Sequence, residues 1–167
     1  MAKVIVLCEK YFQDLELLYP VYRLREAGHK VTIVGVEKVQ YSGKHGYPIQ
    51  ADTSVDKISS KDFDAIVIPG GWAPDYLRRN KKILRLVEEM NQQKKPIAAI
   101  CHAGWVLISA NILKGRTATG FIAIRDDIVN AGANYLDKEV VVDGNLITSR
   151  TPDDLPAFMI ELLKKLK

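Results

Sequence analysis

The chain has 167 residues, 47% of them hydrophobic, and a net charge of +4, enough for one domain that buries roughly two thirds of its unfolded surface. Its two cysteines, Cys8 and Cys101, lie far apart and form no Cys-x-x-Cys pair, which speaks against a disulfide framework or a zinc ribbon and for a reducing, cytoplasmic setting. No apolar run reaches the roughly 18 residues of a membrane span, and the N-terminus has no signal-peptide h-region, so no membrane partner is expected.

The first element is a β-branched apolar run, Lys3–Cys8, which reads as a strand buried on both faces. Leu17, Leu18, Val21 and Leu24 then recur at helical spacing, predicting a helix over 14–27 that is kinked at Pro20 and stopped by Gly28. A second strand over 31–36 and a small hairpin over 41–51 follow. Next come a strand over 65–69, a helix over 75–93, a strand over 96–100 and a helix over 102–111. The dipeptide Asp143-Gly144 joins two short strands, 140–143 and 145–148, into an antiparallel hairpin. In the last helix Thr151 is the expected cap, Pro152 occupies the first position and Asp154 completes a capping-box pattern. Strands alternating with helices in this way predict a single α/β domain over 1–167. Its architecture is a three-layer sandwich of the flavodoxin-like kind, with a mostly parallel sheet and a small antiparallel hairpin.

The segment Ala98-Ala99-Ile100-Cys101-His102-Ala103-Gly104 passes from a buried strand into a helix, with small residues on both sides of the cysteine. That is the pattern of a nucleophile elbow, which presents its side chain at the carboxyl edge of the sheet and beside a helix N-terminus. The helix dipole is expected to lower the thiol pKa of Cys101. Pro69-Gly70-Gly71 ends another strand at the same edge, so the N–H groups of Gly71 and His102 are candidates for an oxyanion hole. Glu16, early in the first helix, starts from that edge too; near a thiolate it would be held protonated and donate to the sulfur.

His102 is a weaker candidate for general base, because neighbours at a turn usually point apart. His29 and His45 read as surface histidines, and Cys8 as core. Trp105 and Phe121 are the expected apolar walls of the substrate pocket. G-x-G-x-x-G, the phosphate-binding loop and H-E-x-x-H are all missing, so neither a cofactor nor a metal is expected. The basic stretch Arg78, Arg79, Lys81, Lys82 and Arg85 lacks interleaved aromatics and reads as a solvated helix face, not a nucleic-acid site.

Several blocks together carry a resemblance to a known family: Asp14-Leu15-Glu16-Leu17-Leu18-Tyr19-Pro20, Gly43-Lys44-His45-Gly46, Pro69-Gly70-Gly71-Trp72-Ala73-Pro74-Asp75, Ile100-Cys101-His102, Asp126-Asp127 with Asn130-Ala131-Gly132, and 141–150. The chain resembles the PfpI, or intracellular protease I, branch of the parkinsonism-associated deglycase superfamily, which is related to class I glutamine amidotransferases. The resemblance implies Cys101 as nucleophile, Glu16 as its acid partner, and Gly71 with His102 as the oxyanion hole. It implies a homo-oligomer as well, a dimer or a hexamer built as a trimer of dimers, in which Asp75 reaches the Cys-His pair of a neighbour. The family's archetype carries glutamate at that position, close relatives often have Tyr-Pro where this chain has Phe121-Ile122, and Gly-Pro is common where it has Ala103-Gly104.

Three functions remain open on the residues alone. The first is glyoxalase III-type conversion of a small aldehyde such as methylglyoxal to lactate, or removal of early glycation adducts. The second is peptide cleavage by Cys101-His102 with Asp75 of a neighbour. The third is a redox-sensing stress protein or holdase. The first is favoured, because it needs only a nucleophile, an acid and an oxyanion hole.

Overall fold

The computed structural model describes residues 1–167. Strand β1 (Lys3–Cys8) runs through the centre, and every one of its residues after Lys3 is buried. Helix α1 (Asp14–Glu26) is capped by Gln13, whose side chain accepts from the Leu15 and Glu16 N–H groups. It continues through the buried Pro20, and Gly28 turns the chain at φ +82°. Strand β2 (Lys30–Gly35) pairs parallel to β1. Strands β3 (Gln40–Ser42) and β4 (Pro48–Gln50) form the expected small hairpin, and β5 (Thr53–Ser54) closes the far edge of the sheet beside β2.

Strand β6 (Ala65–Ile68) is wholly buried. After it the sequence-based expectation of one long helix fails. The segment divides into α2 (Ala73–Leu77) and α3 (Lys81–Gln92), because the Asn80 side chain accepts from the Lys82 and Ile83 N–H groups and starts a new helix. Ile83, Leu86, Val87 and Met90 form the buried face of α3.

Strand β7 (Ile97–Ile100) leads into a single 3-10 turn, Cys101–Ala103, and then into α4 (Gly104–Ser109), so the expected helix after the elbow is shorter than its apolar pattern. Strand β8 (Thr117–Ala118), helix α5 (Arg125–Asn130) and strand β9 (Asn134–Tyr135) make a small parallel appendage. Strands β10 (Val140–Asp143) and β11 (Leu146–Ser149) form the expected antiparallel hairpin.

The chain ends in α6 (Leu155–Lys165), entered through a 3-10 turn at Pro152–Asp154. The expected capping box does not form. Thr151 makes no side-chain cap, and Asp154 instead accepts from the backbone and guanidinium of Arg150. A bidentate charge-assisted pair to the arginine outweighs a neutral capping bond there.

The main sheet has the strand order β10-β11-β7-β6-β1-β2-β5, and only β10 runs antiparallel to its neighbour. Its five central parallel strands, β2, β1, β6, β7 and β11, are the second, first, third, fourth and fifth in chain order, the flavodoxin-like arrangement. Helices α1 and α6 pack together, while α4 contacts both α2 and α3. Strand order reverses between β1 and β6, and open α/β sheets bind ligands at the carboxyl ends of the strands flanking such a point.

Candidate active site

Three turns at that edge converge. Glu16, in the first turn of α1, is fully buried. Its Oε2 accepts from the Gly70 N–H at 2.7 Å, Oε1 is buried without a partner at ordinary hydrogen-bond geometry, and the carboxyl group lies against the Cys101 thiol. Burial pushes its pKa up to about 7, although the Gly70 N–H, Cys101 and the Lys44 charge all pull it down. The sequence-based expectation that environment keeps this group protonated therefore rests mainly on desolvation.

Gly70 and Gly71 make the close approach possible. A Cβ on Gly70 would lie 2.5 Å from Glu16 Oε2 and 2.7 Å from Cys101 Cβ. Gly71 has φ +74°, and a Cβ there would meet the Tyr11 carbonyl at 2.4 Å. A β-bridge between Phe12 and Gly71 pins the two loops through Gln13 N–H to Gly70 O at 3.1 Å and Trp72 N–H to Tyr11 O at 2.8 Å. The Gly71 N–H is left to donate to the Cys101 sulfur, as does that of His102. The two groups proposed from sequence for the oxyanion hole thus converge on one atom.

Cys101 adopts φ +62°, the strained left-handed conformation of a nucleophile elbow, at a cost of about 1–3 kcal/mol that the surrounding packing must offset. Its side chain is nearly buried. The expected fall in thiol pKa is not what the environment produces: burial first, and the Glu16 charge second, push it up to about 12. The N–H groups of Gly71 and His102 oppose this without reversing it. The dipole argument weakens because the chain beyond Cys101 forms one 3-10 turn and a six-residue helix.

His102 corrects a second expectation. Its Nδ1 is 3.3 Å from Cys101 Sγ, so the two neighbours meet. The imidazole stacks on Phe121 at 4.9 Å between centroids, with Trp105 edge-on at 5.1 Å and Trp72 at 5.7 Å. Burial in this aromatic box, aided by the Lys44 charge, lowers its pKa and favours the neutral ring. A neutral imidazole beside a thiol can take its proton.

Gln13, Glu16, Lys44, Gly71, Trp72, Cys101, His102, Phe121 and Pro152 enclose a pocket of about 160 Å³. Phe121 lines it as expected, whereas Trp105 lies behind His102 and donates to Asp127 at 2.8 Å. Asp75 is outside the pocket, partly exposed and paired with Arg79. His29 Nδ1 accepts from the Ala2 N–H, and the buried Cys8 thiol is pushed up by desolvation and the Glu9 charge. Gln13, Lys44, Trp72 and Pro152 were not singled out from sequence as site residues. For Lys44 the signal was its glycine-flanked hairpin tip; for the others it was adjacency to a cap, a glycine pair or a strand end.

The DJ-1/PfpI family model matches residues 2–165. The chain is 48% identical over 165 residues to the deglycase PfpI of Pyrococcus furiosus, covering 99% of both chains. It is 45% identical over 168 residues to general stress protein 18 of Bacillus subtilis, covering 99% of this chain and 98% of that one. Among solved structures it is similar to a two-domain protein from Anabaena variabilis with DJ-1/ThiJ/PfpI-like and ferritin-like domains. The TM-score is 0.97 and the identity 46%, over 99% of this chain and 48% of that one. The match spans nearly the whole chain and includes all three turns that build the pocket, so the chain belongs to the DJ-1/PfpI family.

Proposed function

We propose that this chain is a cysteine-nucleophile enzyme that converts small 2-oxoaldehydes, of which methylglyoxal is the type, to 2-hydroxy acids. The observation that carries this is the convergence of Glu16, His102 and two backbone N–H groups on Cys101 inside a pocket of about 160 Å³. At ~30 Å³ per water such a space is worth roughly five water molecules, room for a three-carbon carbonyl.

In the first step the sulfur adds to the aldehyde carbon and its proton passes to Glu16 or His102. The Gly71 and His102 N–H groups, which point at the sulfur in the free protein, would turn to the oxygen of the resulting hemithioacetal bonded beside it. The aldehyde-carbon proton is then removed and returned to the neighbouring carbon, and the proton first taken from the thiol ends on the product hydroxyl, so the first carbon is oxidised to a thioester while the ketone is reduced to an alcohol. Water cleaves the thioester, releasing the 2-hydroxy carboxylate and a proton and restoring the thiol. The same addition would begin removal of an early glycation adduct.

A second reading, peptide cleavage, is favoured by one contact, His102 Nδ1 at 3.3 Å from Cys101 Sγ. It ranks lower because the pocket is small and Asp75 is engaged by Arg79. Assembly is part of the proposal in either case. Leu15, Tyr19 and Tyr22 form an exposed stripe at helical spacing on α1, with Tyr47 also exposed, and a second copy would cover an apolar face of this kind. The deciding measurement is lactate formation from methylglyoxal against cleavage of a fluorogenic peptide. Methylglyoxal turnover lost in Cys101→Ala and Glu16→Ala is expected; robust Cys101-dependent peptide cleavage without aldehyde turnover would reverse the ranking.

A further inference from the structure

One cation on the pocket wall has no part in the chemistry above. Lys44 stands at the tip of the β3–β4 hairpin, and that tip is fastened to the N-terminus of α1. Buried Asp14 accepts from the His45 N–H at 3.0 Å through Oδ2 and from the Tyr47 N–H at 3.2 Å through Oδ1. The Lys44 N–H donates to the Phe12 carbonyl at 2.8 Å. Gly43 packs so tightly on the Asp14 carboxylate that a Cβ there would lie 2.5 Å from Oδ1. The residue that fastens the hairpin is thus two positions before Glu16 in the same helical turn.

Lys44 itself belongs to none of the molecule's ion pairs, whereas Arg79, Lys82, Arg85, Arg116 and Arg150 each have a carboxylate. Its charge is nonetheless felt inside the pocket, lowering the pKa of both Glu16 and His102. Glu16 is the one acidic residue among the lining side chains, and its Oε2 is already held by Gly70. An unpaired ammonium on a hairpin fixed beside a carbonyl-sized pocket is suited to an anionic group of the bound molecule.

We propose that Lys44 is the carboxylate anchor of this pocket, holding the carboxylate of a 2-oxo acid whose adjacent carbonyl carbon faces Cys101. The inference rests on the carbonyl reading of the site and adds to it a substrate class: carbonyl compounds that already carry a carboxylate on the carbon next to the one the sulfur attacks. Glyoxylate is the smallest such probe. The Cys101 sulfur adds to its aldehyde carbon, the carbonyl electron pair moves to oxygen, the thiol proton ends on that oxygen, and the carboxylate stays free to pair with Lys44.

The experiment measures protection of Cys101 from iodoacetamide by glyoxylate and by glycolaldehyde, which is of similar size but uncharged. It is run on the wild type, Lys44→Met and Lys44→Arg, each normalised to its own rate without carbonyl. The expected result is that Lys44→Met raises the protecting glyoxylate concentration about tenfold, in line with loss of one charge-assisted contact. Glycolaldehyde protection should stay within twofold, and Lys44→Arg should retain most of the glyoxylate preference. Unchanged glyoxylate protection in Lys44→Met would overturn the proposal, as would an equal loss for both carbonyls, which would make Lys44 a structural residue. Methylglyoxal turnover is scored separately on the wild type, and its absence would sink the 2-oxoaldehyde reading while leaving a Lys44-dependent glyoxylate preference standing.

Discussion

The carboxyl of Glu16 and the thiol of Cys101 lie in contact inside the protein, so the ionisation of each changes that of the other. With both protonated the pair is neutral, and its first proton leaves near pH 7, where Glu16 titrates. Above that pH one negative charge is shared between them, and the fraction carried by sulfur reacts. The rate of Cys101 alkylation should therefore rise through about pH 7 and then level off. Glu16→Gln removes the partner ionisation, so the step near pH 7 should vanish and the rate should climb only at higher pH, where the buried thiol itself ionises. Identical profiles for the two proteins would show that the carboxyl does not govern the sulfur. Gly70→Ala tests the same contact sterically. With a Cβ that would sit 2.5 Å from Glu16 Oε2 and 2.7 Å from Cys101 Cβ, methylglyoxal turnover should fall by about a hundredfold or more, the scale of a misplaced catalytic group. The fold should survive, because the contacts under 3.0 Å are to the Glu16 and Cys101 side chains, with the nearest backbone atom, the Ile100 carbonyl, at 3.0 Å; circular dichroism alongside kinetics would check both points.

At the scale of elements, the pocket depends on where helices begin. Gln13 starts α1 and so aims Glu16 inward, while Asn80 starts α3 and so frees α2 to follow the glycine pair as a separate short helix. Asn80→Ala should lower stability by about 1 kcal/mol, the usual cost of a lost N-cap, and leave kcat/KM within about twofold, since Asn80 lines no part of the pocket. Chemical denaturation with activity on the same sample measures it. A larger loss of activity than of stability would mean that the α2–α3 break positions the site directly. On the other side, Arg150 and Asp154 hold the turn that carries Pro152 into the pocket wall.

For the whole molecule the proposal concerns assembly. The α1 stripe of Leu15, Tyr19 and Tyr22 is more than one third exposed at each residue. Light scattering should give at least a dimer, and Tyr19→Glu combined with Tyr22→Glu should shift it toward monomer by placing charges on the covered face. If, as the resemblance implies, a neighbour's Asp75 reaches the Cys-His pair in an oligomer, Asp75→Ala should impair activity without changing subunit stability by more than about 0.5 kcal/mol, as for an exposed ion pair. A fully active monomer would remove Asp75 from the mechanism.

The sequence by itself determined the alternation of strands and helices, the elbow at Cys101, the glycine pair and the acid at Glu16. Each is written in local patterns: β-branched runs, helical spacing, small residues around a cysteine. It carried the family as well, through blocks spread along the whole chain. Local pattern could not decide where the 75–93 helix breaks, because Asn80 looks like any polar residue on an exposed face until its side chain turns back to the Lys82 and Ile83 N–H groups. Nor could it decide that Asp154 would choose Arg150 over Thr151. The contact between Cys101 and His102, the removal of Trp105 from the pocket wall and the arrival of Lys44 from a distant hairpin belong to tertiary structure alone. So does the direction of the thiol pKa: a helix N-terminus is visible in sequence, but desolvation depends on what the rest of the chain packs around the sulfur, and here burial outweighs the dipole.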